Sequence, residues 1–326
     1  MSTPRELLSR VATHPEEDEP RLAYARALPP EAAARAELIQ AQVRLARRGL
    51  DPFERRTLTH RVGELLGQHD ETWADRLRSL GAKDFRFVRG FVEELTLAEE
   101  DFAAHGERLL SLEPIHRLHL RLRDGRGLAR AAARPWFAQL RCLWLSGSEV
   151  TPAAQALAAA PHAGRLEALV LSEVELEGVA ALVKSEALPG LRALGLTGNG
   201  HLGDEAVGLL ARTRLTLARL YLTATDVSDE GTAVLARAKA LQSLEVLALN
   251  RNFVSDAGAG ALAASKALVH LRWLELAGTE VSEEGALTFA RPKALPALRR
   301  LDLRGLGLSA ESVAPLARRL GTGLRL

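Results

Sequence analysis

Leu217-Ala218-Arg219-Leu220-Tyr221-Leu222, Leu244-Glu245-Val246-Leu247-Ala248-Leu249, Leu271-Arg272-Trp273-Leu274-Glu275-Leu276 and Leu298-Arg299-Arg300-Leu301-Asp302-Leu303 are four copies of one frame, Leu-x-x-Leu-x-Leu. The steps from 217 to 244, 244 to 271 and 271 to 298 are each 27 residues. A fixed period in the twenties marks a solenoid, in which each unit buries its apolar face only against its neighbours. The frame stands again at Leu191-Leu194-Leu196. Weaker copies precede it at Leu166-Leu169-Leu171, Leu140-Leu143-Leu145, Ile115-Leu118-Leu120 and Val92-Leu95-Leu97. That makes about nine repeats, and Leu324 and Leu326 read as the start of a truncated tenth.

The second half of each unit reads as a helix. Val227-Ser228-Asp229-Glu230-Gly231 recurs as Val254-Ser255-Asp256-Ala257-Gly258 and Val281-Ser282-Glu283-Glu284-Gly285. Serine is a favoured N-cap, and acids in a first turn suit the helix dipole. Alanine-rich runs follow, such as Ala259-Gly260-Ala261-Leu262-Ala263-Ala264, and small residues let helices pack close to the strands. Three places past the last ladder leucine stand Asn199 and Asn252, with Thr225, Thr279 and Ser148 in other units. An Asn or Thr there can bond turn amides that a loop would otherwise bury unpaired. The ladder with this asparagine resembles the leucine-rich repeat family, and the long period with a true helix resembles its ribonuclease-inhibitor subclass. The resemblance implies an α/β solenoid, a horseshoe with parallel strands on its concave side and helices on its convex side.

Residues 1–85 lack the ladder and read as helices over Pro4–Thr13, Pro20–Leu28, Glu31–Arg48, Pro52–Gly67 and Glu71–Leu80, with Trp73 and Leu77 facing inward. Glu6-Leu7-Leu8, His14-Pro15-Glu16-Glu17-Asp18-Glu19-Pro20, Arg21-Leu22-Ala23-Tyr24-Ala25 and Arg35-Ala36-Glu37-Leu38-Ile39-Gln40-Ala41-Gln42 resemble the repeat-companion domain at the N-terminus of some bacterial repeat proteins. Arg86-Phe87-Val88-Arg89-Gly90-Phe91-Val92-Glu93-Glu94-Leu95 resembles the start of that family's repeats, whereas Arg26-Ala27-Leu28 departs from its Asp-Trp-Leu. The resemblance implies no chemistry. The physical reading is a helical cap over 1–85 that covers the first apolar edge of a repeat domain over 86–326.

Composition narrows the function. With 326 residues, 47% hydrophobic and 26% charged, the chain supports a large core and is not disorder-like. A net charge of +2 gives no global field for nucleic acid, and basic residues fall in end patches rather than a track. Arginine far outnumbers lysine and alanine is abundant, which fits a GC-rich bacterial genome. The single cysteine, Cys142, rules out an internal disulfide and a cysteine zinc site. No basic-then-apolar leader and no run of ~18 apolar residues is present, so a cytoplasmic location and no membrane span are expected. The acidic run Glu16–Glu19 reads as a solvated connection.

Three patterns imitate chemistry. Gly198-Asn199-Gly200-His201-Leu202-Gly203 is formally GxGxxG, but the same register in other units holds ordinary turns, and no acid follows about 20 residues on. His116 and His119 are spaced like ligands, yet three places apart on a strand they face opposite sides. No Ser-His-Asp or His-Glu-x-x-His frame appears. No catalytic residue, metal or cofactor is expected, and the chain reads as a non-enzyme.

The residues alternating with the ladder form columns on the other face of the strands. One reads Thr96, His119, Trp144, Val170, Gly195, Tyr221, Ala248, Glu275, Asp302. The column before it reads Glu94, Arg117, Cys142, Ala168, Ala193, Arg219, Val246, Trp273, Arg300, and the column after it includes Arg121 and Arg304. Two of four tryptophans and one of two tyrosines fall here in a chain only 4% aromatic. Aromatics and arginine are the usual interface anchors. The candidate partner-binding residues are therefore Trp144, Tyr221, Trp273, Arg219, Val170, Arg117, His119, Arg121, Glu275, Asp302 and Arg300, with Asn199 and Asn252 as structural turn residues. The expectation is a scaffold that holds a protein or peptide on the concave face. The alternative is a regulator of another enzyme, since the helical subclass includes both nuclease inhibitors and activators of small GTPases. The sequence leaves partner identity and oligomeric state open.

Overall fold

The computed structural model describes residues 3–326. The chain divides into two compact units. Unit 1 runs to Arg121 and includes Arg134–Leu143; unit 2 comprises Leu122–Ala133 and Trp144–Leu326.

Unit 1 begins with four helices: α1 (Pro4–Thr13), α2 (Glu19–Ala27), α3 (Ala33–Ala46) and α4 (Pro52–Arg78). Thr3 and Glu6 form a reciprocal capping box at the start of α1. The two helices expected over 52–80 are one. Gly67 costs a continuous helix only about 1 kcal/mol, and Leu65, Ala74 and Leu77 are buried on both sides of it. Strands β1 (Lys83–Val88) and β2 (Phe91–Ala98) form an antiparallel hairpin. Its turn, Arg89-Gly90, is left-handed at both positions, which matches the twist of the strands. After α5 (Glu99–Leu112), β3 (Arg117–Leu122) pairs parallel with β2, Glu94 opposite Arg117 and Thr96 opposite His119. Val11, Ala25, Ile39, Val43 and Phe91 form one core cluster; Leu38, Ala41, Val62 and Leu65 form another, flanked by Trp73 and Phe87.

Charge is also buried in unit 1. Arg21 is fully buried and lies 2.7 Å from Glu93. Arg35 lies 2.7 Å from Glu113, its guanidinium 5.1 Å from the Trp73 ring and 5.0 Å from that of Phe87. Burial pushes the Glu93 and Glu113 carboxyls up, against the pull of their arginines. Such pairs are costly to break, because the survivor is a buried lone charge. The acidic connection is partly engaged as well: Asp18 lies 3.3 Å from Arg89.

His116 is buried just before β3, with Nδ1 3.0 Å from the Gln139 carbonyl and no partner at Nε2 among the described residues. Burial, with smaller repulsion from Arg21, Arg141 and Arg117, pushes its pKa from 6.5 down to about 4. Between those values the unfolded chain holds more protons than the folded one. The histidine's contribution is therefore intact above pH 6.5 and is lost as pH falls towards 4. The raised carboxylates act with the opposite sign, so the informative quantity is a difference. In thermal melts across this window, wild type should lose stability more steeply with acid than His116→Asn, which keeps a donor for Gln139. Equal slopes would show that another group is responsible.

Unit 2 alternates short strands with helices. Its elements are α6 (Arg126–Ala132), β4 (Cys142–Gly147, in this unit from Trp144 on), α7 (Val150–Ala158), β5 (Ala168–Leu171), α8 (Leu176–Val183), β6 (Ala193–Gly195), α9 (Gly203–Leu210) and β7 (Arg219–Tyr221). They continue with α10 (Asp229–Arg237), β8 (Val246–Ala248), α11 (Asp256–Ala263), β9 (Trp273–Glu275), α12 (Glu283–Thr288), β10 (Arg300–Asp302), α13 (Ala314–Leu320) and β11 (Leu324–Arg325). From β5 onward every neighbouring pair is parallel. The ladder sets the register: Leu169, Leu194, Leu220, Leu247, Leu274, Leu301 and Leu324 stand side by side. All but Leu324 are fully buried.

Two sets of side chains tie one turn of the stack to the next. Asn199 Oδ1 accepts from Val174 N, and its Nδ2 donates to the Leu171 and Leu196 carbonyls. Asn252 Oδ1 accepts from Thr225 N and Val227 N, and its Nδ2 donates to the Leu222 and Leu249 carbonyls. At the helix starts, Asp204, Asp229 and Asp256 each accept the backbone N–H and hydroxyl of the next repeat's N-cap serine: Ser228, Ser255 and Ser282. The carboxylates come so close that only glycine fits above them, at Gly231, Gly258 and Gly285. Where Glu283 replaces the aspartate, the position 27 residues after Gly285 is Ser312, and the relay stops.

Candidate functional site

The outward face of the unit 2 sheet is built by alternation. Because leucines 220, 247, 274 and 301 point into the core, their neighbours point away from it. The parallel register then aligns Arg219, Val246, Trp273 and Arg300 in one row, and Tyr221, Ala248, Glu275 and Asp302 in the next. Arg219 and Arg300 are exposed; Val246, Trp273, Tyr221 and Glu275 are half-buried. The Arg300 guanidinium carbon sits over the Trp273 ring, 5.2 Å from its centre, a cation–π contact between neighbouring strands. Asn250 Nδ2 donates to Glu275 at 2.7 Å while its Oδ1 accepts from Ala277 N at 2.8 Å, so that carboxylate is oriented.

Asp302 departs from the expected solvent-facing column. It is 1% exposed, because Arg304 folds over it with Nε 2.9 and 3.0 Å from the two carboxylate oxygens and Nη2 2.7 Å from one. Burial pushes this carboxyl up, but the Arg304 hydrogen bonds and charge outweigh it and hold the group below its ordinary value. Its charge is used within the chain and is closed to a partner. Towards β5 the face is small and apolar. Val170 lies over Gly195, where a Cβ would stand 3.1 Å from it, and Ala193 is buried. Trp144 is half-buried on β4.

In unit 1, the basic residues expected to project do not stand apart. His119 Nε2 is 3.0 Å from Glu94, Arg117 is 3.8 Å and Arg86 3.4 Å from the same carboxylate. Arg117 and His119 are half-buried, whereas Arg121 is exposed. Adjacent glutamates thus divide the labour: Glu93 faces the core and Arg21, and Glu94 gathers the outer charges.

The GxGxxG stretch is occupied by structure. Asn199 is buried in the bonds described above, and His201 Nε2 lies 2.9 Å from the Val174 carbonyl. Among the described residues no group of three or more His, Cys, Asp or Glu is placed to hold a metal ion, and no helix is long and apolar enough to cross a membrane. The sequence columns already held Val246 beside Trp273, and Asn250 too, but not the bond by which Asn250 orients Glu275.

No protein-family model matches the chain, and no curated protein matches it. Among solved structures it is similar to a protein from Bacteroides fragilis determined by a structural genomics consortium, at 16% identity over 76% of this chain and 85% of that chain, with a TM-score of 0.41. It is also similar to the Rad7 and Elc1 complex of yeast, at 15% identity over 90% of this chain and 86% of that chain, with a TM-score of 0.38.

Proposed function

We propose that the chain is a leucine-rich-repeat solenoid that binds a protein or peptide and catalyses no reaction of its own. In this reading the sheet of unit 2 is the concave side of a curved stack, and the N-terminal helices of unit 1 cover its own first strands. The observation that carries the proposal is the row Arg219, Val246, Trp273, Arg300 beside Tyr221. It combines two aromatic side chains, an aliphatic centre and exposed guanidinium groups at either end. Aromatic and arginine side chains are the usual anchors of protein interfaces, and an apolar strip with a charged rim is how such sites present themselves. The arginines suit a partner whose contact segment carries acidic residues around an apolar anchor.

The test is affinity capture from the source cell's lysate by wild type and by a Tyr221→Ala/Trp273→Ala variant shown by circular dichroism to be folded. A specific protein held by wild type should be held at least about tenfold less by the variant, as befits two anchor residues. Undiminished capture would remove this face from consideration.

A further inference from the structure

A second surface lies on the helical side of unit 2. The first residue set is periodic in the sequence. Five places before the ladder leucines 217, 244, 271 and 298 stand Arg212, Lys239, Lys266 and Lys293. Four successive turns thus carry a cation at the same point, between the end of the helix and the next strand. Arg319, within α13 of the following turn, is engaged: it donates to the carbonyls of Phe289, Ala294 and Leu295. The three lysines are not. Among the described residues, Lys239, Lys266 and Lys293 have no ion pair and no side-chain hydrogen bond, and neither do Arg237 and Arg291 beside them.

These five cations converge on two adjoining grooves. The groove between α10 and α11 has a volume of about 430 Å³; its floor is Ala233, Ala236, Ala261 and Ala264, and its rim is Arg237, Lys239 and Lys266. The groove between α11 and α12 has a volume of about 420 Å³ and shares Ala264, Ser265 and Lys266 with the first. Arg291, Lys293 and Val269 line its other side. Val269 is 38% exposed there. No acidic residue lines either groove.

Cations near helix C-termini complement the dipole, and that alone would account for one per helix. It does not account for the absence of counter-charges. The groove between α8 and α9 has the same architecture but mixed charge, with Glu177 and Glu205 facing Arg212. The equivalent of Lys239 one repeat before Arg212 is Glu186, paired with Arg214 at 2.5 Å. The pair of grooves along α10–α12 is uniformly basic and alanine-floored, unlike the one between α8 and α9.

We propose that these grooves are a docking site for an acidic segment of a partner protein, one that carries small or aliphatic side chains between its Asp or Glu residues. The carboxylates would meet the lysine and arginine rim while the aliphatic groups settle on the alanine methyl floor beside Val269, a helix-in-groove mode. A nucleic acid is a poorer fit, because no aromatic side chain lines either groove for a base to stack on. The site is separate from the sheet face proposed above and does not depend on it.

The probe is a fluorescein-labelled 20-residue peptide of alternating Glu and Leu/Ala blocks (roughly half acidic, as electrostatic complementarity requires), with a Lys-for-Glu version as control. Anisotropy titrations would use full-length wild type, Lys239→Glu/Lys266→Glu/Lys293→Glu, and Trp273→Ala/Arg300→Ala. Wild type should bind the acidic peptide and not the basic one, more weakly as salt rises. The lysine reversal should weaken binding by about tenfold or more, with an unchanged melting profile. The Trp273→Ala/Arg300→Ala variant should bind as wild type does. A milder Lys266→Gln variant, expected to weaken binding severalfold, covers the case in which the reversal disturbs folding. The proposal is overturned if wild type fails to bind the peptide, if the lysine variants bind equally, or if only the sheet-face variant loses binding. Preference for single-stranded DNA or for vesicles containing phosphatidylserine over the peptide would also overturn it. So would self-association of wild type that the lysine reversal abolishes.

Discussion

Asn252→Ala is expected to destabilise unit 2 by about 3–5 kcal/mol, read as a lower midpoint in urea denaturation with an unchanged slope. Asn252 is buried, and its one carboxamide serves five backbone groups in two successive turns. Alanine would leave the amides of Thr225 and Val227 without a partner in a place water does not reach, at about 1–3 kcal/mol each. The Leu222 carbonyl is less affected, because it also accepts from the Thr225 hydroxyl at 2.7 Å. Two comparisons sharpen the test. Asn199→Ala should cost less, since Asn199 serves a single amide, Val174 N. Asn252→Thr should recover only part of the loss. Thr279 shows what threonine does at this position, with one hydroxyl bond to the Leu276 carbonyl and no amide served. A cost under about 1 kcal/mol for Asn252→Ala would mean the turn can satisfy its amides in another way.

Gly285→Ala and Gly260→Ala should move stability in opposite directions. Alanine normally stabilises a helix by about 0.5–1 kcal/mol relative to glycine, and Gly260, in the interior of α11 with nothing within 4 Å of its Cβ position, should behave so. Gly285 lies in the first turn of α12, and a Cβ there would clash with Asp256 Oδ1 and stand 2.9 Å from the Asp256 Cα. The carboxylate cannot swing aside without releasing the amide and hydroxyl of Ser282, and the backbone atom cannot move alone. Overpacking of this kind costs about 1–3 kcal/mol. Thermal melts of the two variants decide the matter, and a stabilising Gly285→Ala would show that adjacent turns can slide apart at no cost.

The repeat strands were legible because one residue type, leucine, recurs in a frame whose period and alternation admit a single face. The helix starts were legible from serine and its acids, but only their local half. Asp229 reads as a partner for the dipole of its own helix; its bonds to Ser255, 26 residues on, exist only because the turns stack. Alternation placed Asp302 outward, and it overlooked that a neighbouring arginine can close over a carboxylate. It likewise put Arg117 and His119 on the right face without revealing that Glu94 collects both. Unit 1 was least legible. Arg21 and Arg35 sit among residues that read as helix surface, and nothing local distinguishes a buried guanidinium from a solvated one. Their partners, Glu93 and Glu113, lie 72 and 78 positions further on. The fusion of two expected helices into α4 has the same origin, since the local glycine argued for a break and the distant core overruled it.

The aspartate–serine relay and the Arg319 clasp divide unit 2 by how its turns would come apart. In a linear stack, opening is governed by the weakest joint between neighbours. From Asp204 to Ser282 each helix start is latched to the one before, so those turns open and close together. Beyond Glu283 that latch is missing, and the final turn hangs instead from its far side, where one guanidinium grips the carbonyls at the end of the preceding helix. The last repeat is therefore hinged differently from the others: it can peel away as a flap while the latched block behind it stays shut.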